Sequence, residues 1–275
     1  MAAGCGSSTP PNATTATGAG GTPEAAGSSS IGAAAPATAP VAARSATLAS
    51  LRGKVIVIDP GHNPGNVSHG SQIGRPVFAG VPENNGFKAC DTTGTATARG
   101  YAEAVYTWDV ARRLAAILRK AGAKVILTRT RNRPAYGPCI DERAGIGNRA
   151  HADAAVSIHA DGGPPRGHGF ALIAPASPIA ATHLTQRMVD RDVALARALR
   201  KAFGAGTGVP TSTYLGSHGI YRSNEYGGTN LSHVPKVFIE TANMRNASDA
   251  ALLVQPAFRA RVARSLAVGL AAFLR

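Results

Sequence analysis

Between Lys54 and Asp59 the chain reads K-V-I-V-I-D, with four β-branched apolar residues in succession. That is the pattern of a strand buried on both faces, and it runs directly into Pro60, Gly61 and His62. A stretch rich in Gly, Asn and Thr follows to about Gly100 and reads as a long loop. From Ala102 to Ala121 the period changes: Val105, Trp108, Ala111, Ala115 and Leu118 fall on one helical stripe, flanked by Val110, Leu114 and Ile117. Gly122 is placed to end that helix. Further strands are predicted at Ala123–Thr128, Ala154–His159, His168–Ala174 and Lys236–Thr241. Helices are predicted at Asp141–His151 (despite its two glycines), Leu184–Phe203 and Gln255–Leu274. In the last of these Phe258, Val262, Leu266, Leu270 and Phe273 line up. The alternation predicts a single α/β domain, a mostly parallel twisted sheet flanked by helices.

Residues 1–50 lack this patterning. They are almost entirely Ala, Gly, Ser, Thr and Pro, too poor in apolar side chains to offset their conformational entropy. They read as a disordered linker, leaving 51–275 as the folded domain. Ala2-Ala3-Gly4-Cys5 followed by small polar residues is similar to the end of a bacterial lipoprotein signal, with Cys5 the lipidated residue, although the preceding hydrophobic stretch is absent. A chance cysteine in a small-residue tail is the competing reading. The expectation is an exported protein of periplasm or cell wall, on the outer face of the cytoplasmic membrane if Cys5 is lipidated. Cys90 and Cys139 lie in polar, Gly/Pro-containing loops. In an exported chain they predict one disulfide. Neither has a Cys or His neighbour at zinc-ligand spacing, which argues against a metal site there. Net charge is +14. A polyanionic partner is favoured, but the charges are scattered and no aromatic-interleaved basic run marks a nucleic-acid binder. Without coiled-coil heptads or binding repeats, a monomer is expected.

The chemistry gathers where strands end. In open α/β sheets, ligands collect beyond the carboxyl ends of strands, and three predicted strands deliver His62, His159 and Glu240 to that edge. Glu103 opens the longest helix. Two imidazoles and a carboxylate are the donor set of a catalytic zinc site, and the remaining carboxylate is then free to accept a proton from water. Each residue has a plainer explanation: a hydrogen-bonded strand-end histidine, a glutamate favouring a helix dipole, one half of an ion pair.

Four segments in order, IVIDPGH, GYAEAVYTWDVARRLAAILRKAGAKVILTRT, DERAGIGNRAHADAAVSIHADG and VPKVFIETANMRN, give the chain from Lys54 onward a specific likeness. It resembles the zinc-dependent N-acetylmuramoyl-L-alanine amidases, and most the compact mycobacterial and actinobacterial members with paired loop cysteines. The resemblance implies one Zn²⁺ held by His62, Glu103 and His159, and Glu240 as the catalytic glutamate. The implied reaction cleaves the amide between the lactyl group of N-acetylmuramic acid and L-alanine of the stem peptide, with peptidoglycan or muropeptides as partner. Asp59 is expected to orient a ligand imidazole through its other nitrogen. Arg143 occupies a family position where an ion pair or helix cap is as good a reading as substrate contact. The chain departs from the usual pattern at Ala242 and Asn243, where many members have glycine and an aromatic. Between His159 and Glu240 there is no long insert of the kind that plugs regulated relatives, which implies a site open without an activator. A zinc carboxypeptidase-like enzyme and a catalytically inactive wall-binding protein are the alternatives.

Overall fold

The computed structural model describes residues 48–132 and 135–275. Most of the expected linker, and Cys5 with it, lies outside the described residues. Its last three residues belong to the domain: Leu48 packs on the core, Ala49–Leu51 form a 3₁₀ turn, and the Ser50 hydroxyl donates to the carbonyl of Ala271 at 2.7 Å. The folded unit therefore begins earlier than residue 51, because Leu48 and Leu51 supply the apolar anchors that the intervening polar residues obscure.

In chain order the elements are β1 (Val55–Pro60), α1 (Gly70–Ile73), β2 (Pro76–Phe78), β3 (Phe87–Ala89), α2 (Glu103–Lys120), β4 (Lys124–Leu127), α3 (Ile140–Arg149) and β5 (Ala154–Asp161). They continue with β6 (Ala171–Ala174), α4 (Gln186–Thr207), β7 (Ile220–Arg222), α5 (Gly227–Asn230), β8 (Lys236–Asn243), α6 (Ala247–Leu253) and α7 (Pro256–Phe273). The main sheet has the order β4-β1-β5-β8-β6-β7. Its first four strands are mutually parallel, β6 is antiparallel to β8, and β7 runs parallel to β6. The parallel α/β expectation holds. Strand β7 and the small β2–β3 hairpin were not predicted: each strand has only three residues, too short for a period to show.

Helix α2 stops where its sequence indicates. Gly122 takes the left-handed conformation at φ +88°, and the Ala123 N–H turns back to the Leu118 carbonyl, closing the C-terminus. Helix α4 starts at Thr185, whose hydroxyl accepts the Met188 N–H, and ends at Gly208 with φ +74°.

The two sheet faces differ in chemistry. Alternate strand residues Ile56, Ile58, Val156, Ile158, Val237 and Ile239 are fully buried on one face, against α2, α4 and α7. On the other face Val57 and Ala155 form a small apolar cluster, and the remaining positions are Asp59, Ser157, His159, Lys236, Phe238 and Glu240, polar except for Phe238. Strand period two thus sorts one sequence into a core face and a polar face.

Candidate active site

The site is built on the turn leaving β1. Four side-chain bonds fix its carbonyls: the Thr107 hydroxyl donates to Gly61 O at 2.8 Å, Arg129 Nε to Pro60 O at 3.2 Å, Arg143 Nη1 to Pro60 O at 2.8 Å, and Arg143 Nη2 to His62 O at 3.2 Å. His62 is held at φ +57°, a conformation costing a non-glycine residue about 1–3 kcal/mol unless its surroundings enforce it. A Cβ on Gly61 would stand 2.2 Å from the His159 ring. Glycine is what lets the turn lie against that imidazole.

Three expected ligands converge. His62 Nε2 is 3.2 Å from Glu103 Oε2, and His159 Nδ1 is 2.9 Å from Glu103 Oε1. One donor atom from each lies within 4.8 Å of the others, and all three residues are largely buried. Glu103 is the first residue of α2, with Oε2 accepting the Thr95 N–H and Oε1 the Ala160 N–H. The His159 ring stacks on Phe238 with centroids 3.8 Å apart and planes 13° from parallel. Two imidazole nitrogens and a carboxylate suit zinc. A tetrahedral ion with bonds of ~2.0–2.1 Å separates its donors by about 3.3 Å, and the two histidine–glutamate distances are near that value. The electrostatics also favour a cation. Burial lowers the pKa of His62, but the charge of Glu103 and the hydrogen bond His62 donates to Asp91 outweigh it and lift it to about 10. In His159 burial wins and the pKa falls. Burial opposes ionisation of Glu103, yet His62 and His159 hold its carboxyl below the usual range.

Glu240 stands apart from this trio. It sits directly opposite His159 in the β5–β8 register, and its Oε2 is buried without a hydrogen-bond partner. Burial first, then repulsion from Glu103 and Asp161, raises its pKa well above the ordinary carboxylate value.

Asp59 does not orient an imidazole. Its four acceptor positions are filled by Thr128 Oγ1 and Arg143 Nη1 on Oδ1 (2.6 and 2.8 Å) and by Ser157 Oγ and Lys236 Nζ on Oδ2 (2.9 and 3.1 Å). Being inside β1, it reaches sideways along the sheet and not forward to the turn. The two cations outweigh its burial and hold its pKa well below normal. The group facing His62 Nδ1 is Asp91, at 3.3 Å, together with the Thr92 carbonyl at 3.0 Å. Arg143 is an ion-pair residue, bridging Asp59 to Asp91 at 2.8 and 3.0 Å. Asp91 follows Cys90, whose bond to Cys139 (S–S 2.06 Å) ties this loop to the start of α3.

The groups border a cleft of about 380 Å³, whose wall also includes Lys88, Thr93, Asp161, Tyr226 and Phe238. Asp91, Lys236 and Phe238 escaped sequence reasoning. The alternation K-V-F-I-E in β8 does place Lys236 and Phe238 on the face of Glu240, and that signal was available. Ala242 and Asn243, where the usual pattern is broken, are buried, and the Asn243 amide donates to the carbonyls of Pro164 and Gly167.

Residues 56–272 match the N-acetylmuramoyl-L-alanine amidase family. The chain belongs to this family. It is 39% identical over 238 residues to an N-acetylmuramoyl-L-alanine amidase of Mycobacterium tuberculosis, covering 86% of this chain and 93% of the relative. The crystal structure of the N-acetylmuramyl-L-alanine amidase Ami1 from Mycobacterium smegmatis superposes with a TM-score of 0.74 at 38% identity, covering 82% of this chain and 98% of that one. The apo form of Ami1 from Mycobacterium abscessus gives 0.73 at 37% identity, covering 82% and 100%. The amidase family thus accounts for nearly the whole described domain.

Proposed function

We propose that the chain is a peptidoglycan amidase that hydrolyses the bond between the lactyl group of N-acetylmuramic acid and L-alanine, with His62, Glu103 and His159 holding one zinc ion and Glu240 moving the proton. Zinc held there would supply Lewis acidity, polarising the scissile carbonyl and acidifying water. The protein's part is position and proton transfer. The strained turn and the Phe238 stack hold the two imidazoles in place. Glu240 Oε2, buried at the cleft wall without a partner, takes the proton from water and returns it to the departing amine. Its raised proton affinity suits both halves of that transfer. The orphaned carboxylate oxygen beside a three-donor cluster is the observation that carries the reading, since an inactive wall binder has no use for it. Outside the cytoplasmic membrane, where this substrate lies, the Cys90–Cys139 bond is also at home, and Cys5 would be the attachment point if lipidated.

Digestion of purified peptidoglycan with and without a chelator, followed by mass spectrometry, tests it. Stem peptide beginning with L-alanine should appear and should vanish on chelation. Cuts inside the peptide would replace the amidase reading with a peptidase. Glu240→Gln should retain one zinc per chain while turnover falls on the order of 10²–10⁴-fold; unchanged turnover removes Glu240 from the mechanism.

A further inference from the structure

Helices α2, α7 and α4 lie side by side over the apolar face of the sheet, with α7 in the middle. His159, Phe238 and Glu240 project from the opposite face, so the outer surface of this helical layer looks away from the cleft. The three helices carry twelve Lys and Arg residues. Their four carboxylates offset little of that: Glu103 and Asp192 are buried, Asp109 is gripped by Arg113 and Arg259, and Asp190 alone is exposed. Arg187, Arg191, Arg197, Lys201 and Arg264 are exposed and make no ion pair among the described residues. With twelve cations against four carboxylates, these three helices hold a net +8 of the chain's formal +14.

We infer that this helical layer is a peripheral docking surface for an anionic phospholipid bilayer, holding the domain with its catalytic cleft turned outward. Charge complementarity and shape favour a lipid surface over an anionic polymer strand. Each of the two 18-residue helices, α2 and α7, spans ~27 Å, and α7 packs against both α2 and α4, so the three form one layer. Neither the catalytic cleft nor the second large cavity, which is lined by Arg75, Arg131 and Tyr136, opens on it. The large apolar residue exposed among the α7 cations is aliphatic, Val268; an aromatic platform for gripping a sugar chain is lacking among the exposed residues of these helices. No described helix is long and apolar enough to cross a membrane, so attachment would be electrostatic, with attraction decaying over a Debye length of ~8 Å at physiological salt. The domain's first residues, Leu48–Leu51, pack on α7. The described chain therefore enters the fold against α7, a member of this same layer.

Co-sedimentation of the unlipidated full chain with vesicles provides the test. Binding is expected to phosphatidylcholine vesicles containing phosphatidylglycerol, not to phosphatidylcholine alone, and should be lost near 1 M salt, where the Debye length is about 3 Å. The variant R191Q/R197Q/K201Q/R264Q should bind the anionic vesicles on the order of a thousandfold more weakly, with thermal unfolding and turnover of a soluble muramyl peptide unchanged. A variant that fails to fold is replaced by the two pairs R191Q/R197Q and K201Q/R264Q, each expected to weaken binding at least tenfold. Equal sedimentation of folded variant and parent overturns the inference. So does tight binding to a soluble polyglycerol phosphate with no binding to anionic vesicles.

Discussion

Asp59 and Asp91 clamp the same guanidinium, yet only Asp91 also faces a metal-ligand candidate. The two should therefore fail differently. Asp91→Asn is expected to weaken zinc affinity about 10–100-fold with little change in unfolding, read by competition with a chromogenic chelator. Asp59→Ala leaves Lys236 without a counter-charge and Arg143 with Asp91 alone, both cations about 5% exposed or less. Breaking a buried pair in this way costs about 3–5 kcal/mol, read as a lowered urea midpoint while the folded fraction still binds zinc normally. Equal zinc loss in both variants would return Asp59 to the metal centre. The difference also shows what a sequence displays at this scale. His62, His159 and Glu240 were legible because a strand's end announces where its last side chains go. Asp91 was not, because its position depends on how a long loop folds back and nothing in the loop's own period reveals that.

Among the elements, α4 carries an unusual acid toward the sheet. Asp192 accepts the backbone N–H of Lys236 through Oδ1 at 2.8 Å, but Oδ2 is buried without a partner. Burial dominates over the nearby Arg191, Arg222 and Lys236, and the pKa rises to about 8. In an unfolded chain it would be ~3.9. Between these values the folded protein binds the extra proton, so this group's contribution to stability is complete below about pH 4 and is lost as pH rises through about 8. The slope reaches roughly 1.4 kcal/mol per pH unit in mid-window. Asp192→Asn should flatten that part of the stability profile, raising the unfolding midpoint at pH 8.5 relative to the parent; identical pH profiles would show that Asp192 is ionised in the fold. Long elements such as α2, α4 and α7 were readable from period alone. The three-residue strands β2, β3 and β7 exist because neighbours supply their hydrogen bonds, which no local pattern encodes.

At the scale of the whole molecule, the Cys90–Cys139 bond closes 49 residues of chain. Its loop-entropy contribution is about 4 kcal/mol. The double change Cys90→Ala, Cys139→Ala should lower thermal stability by that order, and should also weaken zinc binding because Asp91 and Arg143 lose the tether between their segments. Undiminished metal affinity in the double variant would mean that the Asp59–Arg143–Asp91 chain suffices by itself. One arrangement has a broader effect. His159 and Glu240 face each other across adjacent parallel strands in direct register, so the gap between the proposed metal ligand and the proposed base is set by the hydrogen-bonded ladder. Lys88, Thr93 and Tyr226, which also line the cleft, belong to the hairpin and loops outside that ladder. Exchanging these residues among relatives should consequently retune which muropeptides are accepted while the reaction itself survives, making this half of the molecule the natural place to engineer a lysin with altered bacterial range.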